Sequence, residues 1–213
     1  GELTLIYKNN LLTVSSTDLL SLNNQEFTIN QAYTGPTIPL LQEGQSQTIT
    51  GSQTIDFSAA AGVELYSILY KLGALSLKVN STIQHDLNLK LSIPKLSKNG
   101  SPFVLDIAMP YVAGVNPRAT INADLANYKL DLTGNGNEFN KLTLNYEIQV
   151  NGKNAPLTSG ENIKLAFALN EQNYELVEAY LGKQNLELLS DSILIKLFQF
   201  STDEQQNNSF GLT

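Results

Sequence analysis

The sequence predicts a mainly β protein: an extended, curved antiparallel sheet or β-sandwich with one amphipathic helix, at about residues 60–72, packed on it. Three observations lead there. Residues 75–93 alternate almost without error. Leu75, Leu77, Val79, Ile83, Leu87, Leu89, Leu91 and Ile93 share one parity, and the other parity holds no apolar residue. Period two means a strand with one buried and one wet face. The phase never slips, as it often would at a tight turn or bulge. The simplest reading is one very long strand, or two strands in line, spanning on the order of 60 Å at ~3.3 Å per residue. Ordinary strands run about 5–6 residues, so a strand of this length implies an extended, curved sheet. The second observation is a series of further alternating runs divided by Gly, Asn and Pro turns. The third is a single stretch in which the period changes: Leu65, Ile68, Leu69 and Leu72 are spaced i, i+3, i+4, i+7, which predicts the helix.

The elements follow in order. Leu3, Leu5 and Tyr7, then Asn9-Asn10, then Leu12 and Val14 read as a first hairpin. Thr17-Asp18 can cap a short helical turn over Leu19 to Leu22. Phe27, Ile29 and Tyr33 make a strand. Residues 34–47, with two Pro and two Gly, form the clearest loop. It divides the chain, read as a single β-rich domain 1–213, into an N-terminal subdomain 1–47 and a main domain 48–213. Ile49, Ile55 and Phe57 are strand-like around Gly51. For the helix, Ser58 is the expected N-cap and Gly73 the expected left-handed C′ residue.

Pro94 is expected to end the long strand, and Ser97 to Pro102 to turn the chain, so that Phe103, Leu105, Ile107 and Met109 pair back on it. Ile121, Ala123 and Leu125 hold one parity and Tyr128, Leu130 and Leu132 the other, which predicts a bulge near Ala126-Asn127. Gly134 to Asn137 turns the chain. Leu142, Leu144, Tyr146, Ile148 and Val150 alternate up to Asn151-Gly152, and Ile163, Leu165, Phe167 and Leu169 follow as the next strand. Residues 171–182 fit a helix ending at Gly182 or a bent strand equally well. Ile193, Ile195 and Leu197 look like a last strand. Phe210 and Leu212 on the polar tail point to a chain that continues past 213.

Composition narrows the function. At 213 residues and 42% hydrophobic content the chain is globular and can bury a substantial core. Only 15% of residues are charged, against a typical ~25%, so Asn, Gln, Ser and Thr supply the polar surface. The net charge of −7, with 13 Lys and Arg spread thinly, speaks against nucleic-acid binding. There is no Cys, which excludes disulfides, thiolate metal sites and Cys nucleophiles. Low charge without Cys fits a bacterial protein that is periplasmic, outer-membrane-anchored or secreted. No stretch approaches the ~18 apolar residues of a membrane span. A start at Gly1 points to a removed signal or a trimmed end, and a lipid-anchoring Cys would have gone with it.

The chemistry-bearing residues are few. His85 is the one histidine, on the apolar parity between Ile83 and Leu87. It invites an acid-base or metal role, but its neighbour Asp86 has the opposite parity, and a structural ring, partly buried or at a bend, is the stronger reading. Residues 131–138 resemble a calcium loop, with oxygen donors at Asp131, Thr133 and Asn135 and Gly136 at the sixth position. The twelfth position is Leu142 rather than a bidentate Glu, so a Gly/Asn hairpin turn is favoured and no metal or other cofactor is expected. Of the carboxylates that a glycosidase would need, Glu2, Glu43, Glu64, Asp106, Asp124, Glu147 and Glu178 are available, yet no spacing selects a pair. There is no GxSxG, GxxxxGK[ST] or GxGxxG. Trp is absent and the 9 Tyr are scattered; Tyr66 and Tyr70 read as packing at the helix edge. Asn80-Ser81-Thr82 matches the N-glycosylation pattern, which carries no meaning in a bacterial protein.

The functional expectation is a non-catalytic envelope or secreted protein that acts as a scaffold or interaction module, its partner a protein, glycan or lipid. One alternative is a carrier of lipid or another apolar ligand, held in a groove between sheet and helix. At the level of architecture alone this is similar to the elongated lipid-binding tubular proteins. Another is a glycan-binding module of a surface assembly. A hydrolase is the least supported class, since the motif search is empty.

Overall fold

The computed structural model describes residues 22–134 and 136–181. The expected hairpin at 3–14, the cap at Thr17-Asp18, the last strand at 193–197 and the apolar tail residues lie outside them. The described residues form β1 (Gln25–Ala32), β2 (Ile38–Leu41), β3 (Ser46–Asp56), β4 (Glu64–Ser81), β5 (Asp86–Lys98), β6 (Ser101–Met109), β7 (Arg118–Asp124), β8 (Lys129–Asp131), β9 (Lys141–Asn151), β10 (Ala155–Leu157) and β11 (Asn162–Tyr180). Every pairing between them is antiparallel. The mainly β, antiparallel expectation therefore holds.

The main sheet has nine strands in the order β1-β11-β4-β8-β5-β9-β3, with β7 also on β4 and β6 also on β5. Short β8 pairs with β4 at Ser67–Leu69 and with β5 at Leu96–Ser97. It joins the run β1-β11-β4 to the run β5-β9-β3, so the sheet curls into a nearly closed barrel. β2 and β10 form a separate two-stranded sheet; β2 lies within the segment expected to be loop.

The long alternating segment is two strands. The chain breaks at Thr82–His85, and the two halves take different neighbours: β4 pairs with β11 and β7, β5 with β9 and β6. The odd-numbered residues from Leu75 to Ile93 are all buried, Ser81 and His85 included, while none of the even ones is. The connection has an even number of residues, which keeps the parity, so both halves feed one core. That core also takes Leu142 to Val150 of β9 and Ile163 to Leu169 of β11. Each such Leu, Ile or Val contributes about 1.5–3 kcal/mol by leaving water.

The expected helix at 60–72 is not there, and no helix occurs among the described residues. Residues 64–72 are the first half of β4. Its inward set is Leu65 and Ser67, then Ile68 and Tyr70, then Leu75. Two shifts of phase within one strand gave the apolar residues a helix-like spacing. The shifts are bulges against β11, where the register breaks between Glu178 and Ala179 and again between Asn170 and Leu176, and Glu171 adopts φ 52. Leu72, assigned to the buried stripe of a helix, is 57% exposed. Ser58 caps nothing; its N–H donates to Gln25 Oε1 at 2.8 Å. Gly73 is extended backbone whose carbonyl accepts from Leu125 N–H at 2.8 Å.

Other expectations divide. Residues 171–180 are the bent-strand alternative, the end of β11. The expected bulge near Ala126-Asn127 is instead a turn between β7 and β8: Asn127 has φ 65 and its N–H donates to Tyr70 O at 2.9 Å, while Ala74 opposite Asp124 and Leu69 opposite Lys129 keep one register to β4 on both sides of it. Pro94 does not end its strand. It sits exposed inside β5, where the register to β6 breaks between Ile93 and Ser97, a bulge that needs no proline N–H. Asn99 and Gly100, both at positive φ, make the β5–β6 turn.

Candidate functional site

The sequence-selected residues fall at separate places. His85 is completely buried, at the break between β4 and β5. Lys153 N–H donates to its Nδ1 at 3.1 Å, and its Nε2 lies 3.3 Å from the Pro156 carbonyl. One ring nitrogen therefore accepts and the other donates, which is the neutral Nε2–H tautomer. Burial lowers the ring's pKa below the usual 6.5, against the opposing pull of the Pro156 carbonyl, Glu161 and Asp86. The ring fastens Lys153, just after β9, and Pro156 of β10 to the β4–β5 connection. Asp86 faces elsewhere: Oδ1 accepts from Tyr111 N–H at 2.7 Å and Oδ2 pairs with Lys153 Nζ at 2.9 Å. Burial alone would raise this carboxyl, but those two donors hold it below the ordinary range.

In the calcium-like loop, Asp131 Oδ1 accepts from the backbone N–H and the hydroxyl of Thr133 at 2.8 and 2.6 Å. Oδ2 pairs with Lys95 Nζ at 3.2 Å. Lys95 is the cation at this carboxylate, and with Thr133 it holds the carboxyl below its ordinary range although burial acts the other way. Asn135 lies outside the described residues. No group of three or more His, Cys, Asp or Glu placed to hold a metal ion occurs among the described residues.

The expected packing tyrosines lie on β4. Tyr70 is buried, with its hydroxyl on Gln172 Oε1 at 2.9 Å, and burial pushes the phenol far up. Tyr66 donates to Glu64 Oε2 at 2.6 Å. Of the acidic residues, Glu2 lies outside the described residues, Glu178 accepts from Ser67 Oγ at 2.5 Å, and Asp124 accepts from Ala126 N–H at 2.9 Å. Asp106 and Glu147 are brought into one row. The register aligns Thr50 of β3, Glu147 of β9, Lys90 of β5 and Asp106 of β6 across the outer face of the sheet. The rows beside it are Thr48, Gln149, Asn88 and Ala108, and Ser52, Asn145, Ser92 and Val104. Lys90 thus stands between two carboxylates, each one strand spacing, about 4.8 Å, away. All three are exposed. A depression of about 520 Å³ lies on the Thr50 side, walled by Lys90, Asn145 and Glu147. A second of about 380 Å³ lies on the Asp106 side, between Asn88, Lys90 and Gln149. The row was beyond single-strand reading, because its members lie on four different strands and only the strand register aligns them. The groove expected between sheet and helix has no counterpart among the described residues, since the helix is strand.

No family model and no curated protein matches the chain. Solved structures with a likeness to it include the infectious bursal disease virus VP2 subviral particle, at 14% identity, covering 78% of this chain and 37% of that one, with TM-score 0.34. Empty-head turnip yellow mosaic virus shares 10% identity over 79% of this chain and 88% of that one, with TM-score 0.33. Broad bean stain virus shares 9% over 79% and 96%, with TM-score 0.34. The chain spans little more than a third of that VP2 chain. Likenesses at this level carry no argument about what the chain does.

Proposed function

We propose that the chain is a non-catalytic scaffold or interaction module that acts outside the cytoplasm, in a bacterial envelope or as a secreted protein. The observation that carries the reading is where the space lies. The inward parity of β4, β5, β9 and β11 is filled by aliphatic and aromatic side chains. The depressions on the β3-β9-β5-β6 run lie on its outer, polar face. A carrier needs an apolar chamber, and the inward faces here are spent on each other. The scarcity of charge and the lack of Cys support the extracytoplasmic placement. Native mass spectrometry of protein purified without detergent tests it. The expected mass is that of the polypeptide or whole multiples of it. A stoichiometric adduct removed by organic solvent overturns the reading in favour of the apolar-ligand carrier.

A second reading has its own observation. The row Thr50–Glu147–Lys90–Asp106, bordered by Asn88, Asn145 and Gln149, offers donors and acceptors on a rigid sheet with a depression at each side of Lys90. A short glycan is the ligand class that such a surface suits. Titration calorimetry against oligosaccharides, with Lys90→Ala as the control, decides it: binding that this substitution abolishes establishes the glycan module, and no heat with any of them removes it.

A further inference from the structure

β3 is the last strand of the main sheet, bonded on one side to β9 and on the other to no described strand. The direction of its free groups follows from two hydrogen bonds. Phe57 N–H donates to Asn140 O and Gly152 N–H to Gln45 O, both in the register that pairs Asp56 with Lys141 and Ser46 with Asn151. Antiparallel ladders alternate, so odd-numbered residues of β3 bond to β9. The N–H and C=O groups of Ser46, Thr48, Thr50, Ser52, Thr54 and Asp56 point outward along the free edge.

Proteins blunt such edges with short strands, Lys, Pro or bulges, because a bare edge pairs with other chains. β3 has none of these. It is 11 residues long, its register to β9 is unbroken, and it carries no charge before Asp56. Ser52, Gln53 and Thr54 are exposed in succession, so neither face is covered there.

The sequence indicates the partner. β3 reads Ser-Gln-Thr-Ile twice, at 46–49 and 52–55, around Thr50-Gly51. Laid antiparallel on itself about Gly51, it sets Thr48 against Thr54 and Thr50 against Ser52, each pair joining outward-pointing residues. The ladder parity requires this. No like charges meet. The same outer face already carries polar side-chain pairs between β3 and β9, at the non-hydrogen-bonded positions of that ladder: Thr54 Oγ1 with Thr143 Oγ1 at 2.9 Å, and Ser52 Oγ on Asn145 Oδ1 at 2.7 Å. Cross-strand polar pairs, Thr with Thr or Ser among them, stabilise sheets.

We propose that β3 is a homodimerisation edge: two copies of this chain join β3 to β3 antiparallel about Gly51, making one continuous sheet across an isologous two-fold interface. The proposal rests on the reading of the chain as an interaction module and names its partner. One strand pair is a small contact by the standard of stable interfaces, so the dimer is reversible.

Sedimentation velocity of the full chain over a concentration series tests it, with two double variants at exposed positions. Thr48→Lys with Thr54→Lys sets like charges face to face and should weaken the dimer at least tenfold. Thr48→Lys with Thr54→Glu sets opposite charges face to face and should restore it. Amide exchange adds a second readout: Thr48, Thr50, Ser52 and Thr54 should gain protection with concentration, while Ile49 and Gly51 are protected throughout. A chain that stays monomeric at millimolar concentration, a dimer indifferent to both double variants, or an edge that gains protection only from an unrelated peptide each overturns the proposal. None of these outcomes brings an apolar adduct into the mass spectrum, so the scaffold reading is judged separately.

Discussion

His85 shows how much one residue can be asked to do without chemistry. Its two ring nitrogens hold two backbone groups of the β9–β10 segment, and this works only while Nδ1 is bare. Because burial sets the folded-state pKa below 6.5, the unfolded chain takes up the proton first as pH falls. The stability owed to the neutral ring is complete above about 6.5 and is lost as pH drops below it toward the folded value. Asp86 and Asp131, both lowered from 3.8, add losses only at more acid pH, below that value. Thermal melts from pH 7.5 to 5 should therefore show a falling midpoint in the wild type. The fall should be flatter in His85→Gln, which should still fold and keep whatever binding the wild type has. Equal slopes in the two proteins would remove the histidine from the account. Leu89 gives a companion test. It is 1% exposed on the inward face of β5, and Leu89→Asp buries a carboxylate with no partner. The expected loss is several kcal/mol, on the order of 3–5, read by urea denaturation.

At the scale of elements, the strands that were legible are those whose phase is constant. β9 from Leu142 to Val150 and β11 from Ile163 to Leu169 keep one parity and form strands as read. β4 is the instructive failure. A bulge moves the inward set by one residue, and two bulges in one strand place apolar residues three and four apart. Nothing in Leu65, Ile68, Leu69 and Leu72 separates this from a helical face, although Leu69 and Leu72 are the two that do not end up buried. Conversely, the unbroken phase of residues 75–93 concealed a real break, because an even-numbered crossing leaves parity intact. Parity reports which face is inside, not which strand lies alongside. The polar row about Lys90 was illegible for the same reason. Far-UV circular dichroism should accordingly show strand with no helical component from residues 60–72. Close packing between elements adds another prediction. Gly152, between β9 and β10, has room for no side chain: a Cβ there would stand 2.0 Å from the Gln42 carbonyl oxygen. Backbone cannot swing aside as a side chain can, so Gly152→Ala should cost about 1–3 kcal/mol, seen as a lower urea midpoint.

On the scale of the whole molecule, the strand order interlocks the two ends of the described chain. Among the described strands β1 bonds to β11 alone, in a register that joins Gln25 to Leu169 and Ala32 to Asn162. β11 also carries the whole length of β4, from Glu64 to Ser81. The last described strand thus sits between the first described strand and β4, and its inward residues Ile163, Leu165, Phe167 and Leu169 are all buried. Forming these pairs closes a loop of well over a hundred residues before any of them contributes, which slows folding. Refolding from urea should fall in the millisecond-to-second range of all-β proteins rather than the microseconds of helical bundles. The interlock also dictates what truncation does. A chain that stops before Asn162 leaves β1 with no strand to bond and one edge of β4 bare, and uncovers the side chains that faced Phe167. It should lose its cooperative urea transition and expose apolar surface to a hydrophobic dye, even though it keeps the first ten described strands intact in sequence. A truncated chain with a sharp transition would mean that β5, β6, β9 and β3 fold as a unit of their own, and that the barrel is assembled from separable halves instead of being closed by its final strand.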